Sequence, residues 1–295
     1  MTDRLSGFIA ALMTGFDDKG GLSESRTRAL VRHVLDYHGM AGAYVGGSSG
    51  ESFSMTIDER CRLMEIVADE VKGSHTLIAQ IGALDLESAV RLGRLARDLG
   101  YDGVSAVPPF YFQHSQREIE NWFASLARAA DLPMLVYYVP GLTGVRSDLD
   151  GLVRLMGLPG VVGIKFTDIN LYLAERLRDA CPDGRFFFGL DEMMAGALAM
   201  GFDSGIGSTY NVQGFRFPLL AKAMRAGDLG AVHRMQKEIN DVMAPIIRHG
   251  VFPALKAVLR MEGLDVGDCR PPLLMPEPEG IAALESLHRS GAFKR

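Results

Sequence analysis

Residues 42–71 read GAYVGGSSGESFSMTIDERCRLMEIVADEV. The stretch opens on an apolar run, Gly42–Gly46, of strand length. It closes on Ile57–Val71, where apolar residues recur at helical spacing. Thr56-Ile57-Asp58-Glu59 marks the switch between them. Thr at the N-cap and Glu three residues later satisfy each other's backbone donors, so the helix has a defined start. Strand, small-residue loop and helix make one βα unit.

The unit repeats on both sides. Strand-length apolar runs fall at Phe8–Met13, Thr76–Ile81, Gly103–Val107, Met134–Val139, Val161–Phe166, Arg185–Phe188 and Ser204–Gly207. Helical patterns fall at Glu24–Tyr37, Leu86–Leu99, Gln116–Ala130, Ser147–Met156, Leu171–Ala180, Glu192–Met200 and Phe215–Arg225. Eight strand–helix units with short connections predict an α/β fold, a (β/α)8 TIM barrel of about 250 residues. An open doubly wound sheet competes, because periodicity does not report closure. Strands stop near residue 226, and Leu229–Ile247, Pro253–Met261 and Ile281–His288 read as helices. The expected division is a barrel over 1–225 and a C-terminal helical extension, 226–295, packed on it.

The chain has 295 residues, 47% hydrophobic and 23% charged, with a formal net charge of −5. That composition excludes a disordered chain and a basic nucleic-acid footprint. Leu5–Phe16 is apolar, but Asp17-Asp18 end it and no small-residue cleavage site follows, so it reads as a buried first strand rather than a leader. No run approaches the roughly 18 apolar residues of a membrane span. The three cysteines, Cys61, Cys181 and Cys269, form no CxxC pair and suit a reducing cytoplasm.

In a barrel the chemistry gathers at the C-terminal ends of the strands. Those ends carry Ser48, Ser49 and Glu51 after the second strand, Tyr111 after the fourth and Tyr137 after the fifth. They continue with Lys165 and Thr167 after the sixth, Asp191 and Glu192 after the seventh, and Ser208 after the eighth. Of seven lysines, only Lys165 lies in a strand-like run. Desolvation there should lower its pKa and free an amine to attack a carbonyl. A structural lysine snorkelling to solvent is an equal reading. Lys256 sits at helical spacing, where a stem packed along the helix is expected. Gly46–Glu51 matches neither phosphate-binding nor dinucleotide fingerprints and suits a small carboxylate, or is simply a tight turn. Of Tyr137 and Tyr138, alternation sends one inward; an inward phenol near a lysine can move protons, while a structural hydrogen bond is the commoner use. Asp191-Glu192 opens a helix, as a cap or as acceptors for sugar hydroxyls. The seven histidines show no HxH or HExxH, so no metal is expected in the chemistry.

Gly46–Glu51, YYVPGLTG from Tyr137, GIKFTD around Lys165 and GIGSTYN from Gly205 resemble the dihydrodipicolinate synthase/N-acetylneuraminate lyase family over essentially the whole chain. FTD after Lys165, Gly189-Leu190-Asp191-Glu192 and GSTYN resemble the lyase branch; Leu142 stands where the synthase branch usually has an Arg. The resemblance implies a Schiff-base aldolase cleaving N-acetylneuraminate to N-acetylmannosamine and pyruvate. Lys165 would form the Schiff base, Tyr137 carry protons, and Ser48 and Ser49 hold the carboxylate. Thr167, Gly189, Asp191, Glu192, Gly207 and Ser208 would contact the polyol, and Tyr111 would reach a neighbouring subunit. It further implies a homotetramer, no cofactor, and small-molecule keto acids as partners, with no nucleic acid or membrane. Leu190 and Tyr138 depart from frequent family residues, which leaves another 2-keto-3-deoxy sugar acid as the alternative substrate; dihydrodipicolinate synthesis or non-catalytic pyruvate binding is a more distant one.

Overall fold

The computed structural model describes residues 4–295; residues 1–3, the start of the expected barrel span, lie outside the described residues. The strands are β1 (Phe8–Ala11), β2 (Gly42–Val45), β3 (Thr76–Gln80), β4 (Gly103–Ala106), β5 (Met134–Tyr138), β6 (Val161–Phe166), β7 (Arg185–Phe188) and β8 (Ser204–Gly207). Each pairs in parallel with the next, and β1 pairs with β8 through Ile9↔Ile206, which closes the barrel and disposes of the open sheet.

Helices α1 (Glu24–Arg32), α2 (Ile57–Val71), α3 (Leu86–Asp98), α4 (Gln116–Ala130), α5 (Pro140–Thr143), α6 (Leu149–Met156), α7 (Leu171–Ala180), α8 (Met194–Ala199), α9 (Tyr210–Gln213) and α10 (Arg216–Arg225) accompany the strands. Then come α11 (Leu229–Arg248), α12 (Val251–Met261) and α13 (Pro278–Arg289). The capping box forms as expected: Glu59 N–H donates to Thr56 Oγ1 at 3.2 Å, and Thr56 N–H donates to the Glu59 carboxylate at 2.9 Å.

Alternation along each strand divides the core in two. Ile9, Ala11, Tyr44, Ile78, Leu135, Tyr137, Phe187 and Ile206 fill the barrel. Ala10, Ala43, Val45, Val136, Tyr138, Ile164, Phe166 and Phe188 face the helices. The register Tyr137↔Lys165↔Phe187 therefore sends Lys165 inward with two aromatic neighbours. Tyr138 points outward and donates to the Ser147 carbonyl at 3.4 Å.

Several boundaries differ from expectation. β1 to β5 end one or two residues early, because Met13, Ile81, Val107 and Val139 are buried apolar residues beyond the last ladder pair. The expected helix Glu24–Tyr37 is α-helical to Arg32 and then makes one turn of π-helix, His33–Tyr37. α6 starts at Leu149 because Asp148, not Ser147, caps it by accepting the Gly151 N–H. Glu192–Met200 begins as a 3-10 turn at Asp191. α11 and α12 meet at 113°, a bend made at Gly250, whose φ of +89° suits glycine. Among the described residues no single helix is long and apolar enough to cross a membrane.

Candidate active site

A cavity of about 340 Å³ opens at the C-terminal ends of the strands. Ser48, Ser49, Tyr137, Lys165, Thr167, Gly189, Asp191, Glu192 and Ser208 all line it, so strands two, five, six, seven and eight converge as expected.

Lys165 lies at its base, 4% exposed. Its Nζ stands 4.0 Å from the centre of the Tyr137 ring and 4.6 Å from that of Tyr44. Among the described residues no carboxylate comes within ion-pair distance of it. The two tyrosine rings meet edge to face, 6.0 Å apart at 83°. Tyr44 escaped the sequence reading because it lies mid-strand. Burial, with Tyr137 second, raises its phenol well above the usual range, which keeps it protonated beside the amine.

The loop after β2 presents hydroxyls. Gly46 and Glu51 take positive φ (71° and 56°), and the Gly50 and Ser52 N–H groups return to the Gly47 carbonyl at 3.1 and 3.3 Å. A side chain at Gly47 would strike the Tyr44 ring at 2.6 Å, so the turn sits tight on the barrel core. Ser48 Oγ is 3.5 Å from the Tyr137 hydroxyl, and Ser49 Oγ is 2.6 Å from Ser208 Oγ. A carboxylate bound there would face these four hydroxyls and share the cavity with Lys165.

Asp191 is held by Thr209, its neighbour in the cavity wall. Thr209 donates to its Oδ2 through N–H (2.9 Å) and Oγ1 (2.7 Å), while Oδ1 is buried without a hydrogen-bond partner. Burial pushes this carboxyl up to about 6; the Thr209 bonds and Lys165 oppose the rise and Glu192 adds to it. Gly189 lies against Thr167 Oγ1, and any side chain there would collide with that hydroxyl.

Four expectations need correction or relocation. Gly207 does not line the cavity; it backs Asp191, where a Cβ would strike Oδ1. Glu51 turns away from the ligand space: its carboxylate forms an ion pair with Lys256 Nζ at 2.9 Å, both side chains buried. Lys256 is thus no stem along a helix surface. Its ammonium is fully enclosed, donates to the Asp268 carbonyl at 3.0 Å and lies 4.3 Å from the Phe16 ring centre. Tyr111 is 79% exposed and lines a separate cavity of about 760 Å³ with Phe112, His114 and Arg146, so this chain does not bring it to its own Lys165.

The sequence reading did not assign Met243, Ile247, Val251 and Phe252 to the site, yet they wall it from α11 and α12. Their apolar helical spacing was visible; that the extension folds back over the barrel mouth was not.

A family model described as dihydrodipicolinate synthetase family matches residues 4–288. An N-acetylneuraminate lyase of Clostridium perfringens is 38% identical over 285 residues, 97% of this chain and 99% of that protein. A Clostridium difficile structure, CdNal in complex with mannosamine, superposes with a TM-score of 0.94 at 36% identity, covering 97% of this chain and 98% of that one. An N-acetylneuraminate lyase of Fusobacterium nucleatum complexed with pyruvate gives 0.92 at 36% identity, covering 99% and 98%.

Proposed function

The chain belongs to the dihydrodipicolinate synthetase family, and on that premise we propose that its Lys165 cavity cleaves N-acetylneuraminate to N-acetylmannosamine and pyruvate as a Schiff-base carbon–carbon lyase without a cofactor. The observation that carries this is an enclosed lysine with no carboxylate partner, set against two tyrosines and beside a loop of serine hydroxyls. Lys165 Nζ attacks the C2 ketone of the open-chain sugar acid, and Tyr137 gives its proton to the departing hydroxyl, so that water leaves, an iminium forms and Tyr137 stands ready as the phenolate. Tyr137 takes the proton from the C4 hydroxyl. The C3–C4 bond then breaks, its electron pair flowing into the iminium, and N-acetylmannosamine leaves as the aldehyde. Tyr137 returns the proton to C3 of the enamine, and water releases pyruvate and the amine.

Ser48 and Ser49 hold the substrate carboxylate with the N–H groups of their loop. Thr167, Asp191, Glu192 and Ser208 meet the polyol, and Gly189 leaves the room it needs. Tyr111, solvent-facing in a single chain, reaches the cavity of a second copy, and the working assembly is a homotetramer. The three cysteines are free, which suits the cytoplasm. A different sugar acid is less favoured than the sequence suggested: Leu190 lines the cavity, but Tyr138 packs outward and cannot reshape it.

Purified protein given N-acetylneuraminate should release pyruvate, and borohydride with pyruvate should leave a stable adduct on Lys165. Pyruvate release no greater than from Lys165→Ala would overturn the assignment.

A further inference from the structure

His33 and His38 are five residues apart, a spacing that puts side chains about 140° apart around an α-helix. The π-helical turn changes this. His38 N–H reaches the His33 carbonyl at 3.2 Å, and the wider turn swings both rings to one side. They meet edge to face, centroids 4.7 Å apart at 87°, with Nε2 atoms separated by 3.1 Å. The C-terminal end of α12 lies opposite and places Glu262 Oε2 4.0 Å from His33 Nε2. All three donor atoms lie within 4.8 Å of one another.

Two features of this cluster point to an occupant. Glu262 Oε2 is buried and has no hydrogen-bond partner among the described residues, as is His38 Nδ1; an enclosed carboxylate oxygen without a donor is costly. The two Nε2 atoms also converge with only one hydrogen bond to share between them. The rings are held in place: Tyr37 stacks on His33 (5.3 Å, 20°), and Phe215 stacks on His38 (5.8 Å, 6°). π-Turns of this kind recur at functional sites.

We propose that His33, His38 and Glu262 bind one divalent cation of the zinc, cobalt or nickel class and clamp the end of α12 to the turn before β2. Two imidazoles and one carboxylate suit those ions, whereas magnesium and calcium ask for oxygen ligands. Tetrahedral bonds of about 2.0–2.1 Å space donor atoms about 3.3 Å apart. The imidazole pair already meets that spacing, and Glu262 closes the remainder by a side-chain rotation. A fourth position is left for water. None of the three residues lines the Lys165 cavity, so the site stands apart from the aldol chemistry. It shares α12 with that chemistry, since the same helix carries Phe252 to the cavity and Lys256 to Glu51. Arg295, which donates to the Tyr37 carbonyl at 3.0 Å, is the cationic neighbour that moderates affinity.

The test uses full-length protein treated with chelator, dialysed, and titrated with Zn2+ by calorimetry and with Co2+ by absorbance. One ion per chain, a raised melting temperature and no response to Mg2+ are expected. Glu262→Gln removes an enclosed, unpartnered carboxylate and so should fold at least as well as the parent without metal. It should weaken Zn2+ binding at least about tenfold, as should His33→Gln. Absence of stoichiometric binding in the parent, or unchanged affinity in Glu262→Gln, overturns the proposal.

Discussion

Replacing Lys256 by Met is the sharpest test of how the site is supported. Lys256 and Glu51 are both buried, their charges 2.9 Å apart, an ion pair rather than an aligned hydrogen bond. Met preserves the stem and removes the ammonium, leaving the Glu51 carboxylate enclosed with the Arg270 N–H, at 2.8 Å, and the neighbouring Cys269 thiol in place of a buried countercharge. Breaking a buried pair from one side costs about 3–5 kcal/mol, because the surviving charge is stranded. For a chain of this size that lowers the melting temperature by roughly 6 °C or more. Removing both charges, in Glu51→Gln with Lys256→Met, should recover a substantial part of the loss, so the double-mutant cycle should be strongly non-additive. Equilibrium urea unfolding of the parent, both single variants and the double variant measures this directly. Glu51 also ends the loop bearing Ser48 and Ser49, and holds a positive φ to do so. Well below its melting temperature, Lys256→Met should therefore raise KM for the keto acid more than it lowers kcat. A loss below about 1 kcal/mol in the single variant, with an additive double, would refute the claim that this ammonium compensates a buried charge.

Tyr137→Phe keeps the ring beside Lys165 and deletes the hydroxyl; kcat should fall by about 10²–10⁴ with the borohydride adduct still forming, and a fall below tenfold would exclude Tyr137 as the proton carrier. Asp191, raised by burial to about 6 from an ordinary 3.8, keeps its proton in the folded chain over a range where the unfolded chain has lost it. Its stabilising contribution is full below the unfolded value and disappears as pH rises through 6, so the parent should lose about 2 kcal/mol relative to Asp191→Asn between pH 4 and 6.5. A stability difference that stays flat over that window would sink the assignment of a protonated, buried carboxyl.

The barrel was legible because the strands are buried on both faces over most of their length and read as short, mainly apolar runs between amphipathic helices. The same continuity hid the strand ends, since Ile81, Val107 and Val139 continue the apolar pattern past the last ladder pair to serve as wall at the mouth. Lys165 stood out because a charge in such a run needs a reason. Glu51 and Lys256 did not, because their meaning lies in a contact across some two hundred residues, and each alone imitates a rim acid or a helix stem. The π-turn was equally hidden. HVLDY continues the apolar spacing of α1, and nothing in that spacing reports a widened backbone. Gly207 was misread for a simpler reason: a motif identifies a stretch, not which of its atoms face the cavity.

The two buried lysines show why enclosure by itself does not make a nucleophile. Both lie close to aromatic rings, Lys165 over Tyr137 and Tyr44, Lys256 over Phe16. What separates them is the acceptor. Lys256 has a carboxylate and a carbonyl at hydrogen-bonding distance, which occupy its Nζ and leave no space for a ligand beside it. Lys165 has neither at that range. Asp191, whose charge acts on it, is drawn off by Thr209 and is itself pushed by burial toward its protonated form. The Lys165 Nζ has the open space of the cavity before it. On the proposed reading, one side chain takes opposite roles according to where the fold places its carboxylates, and a carboxylate introduced beside Lys165 should abolish the borohydride-trapped pyruvate adduct as fully as Lys165→Ala does.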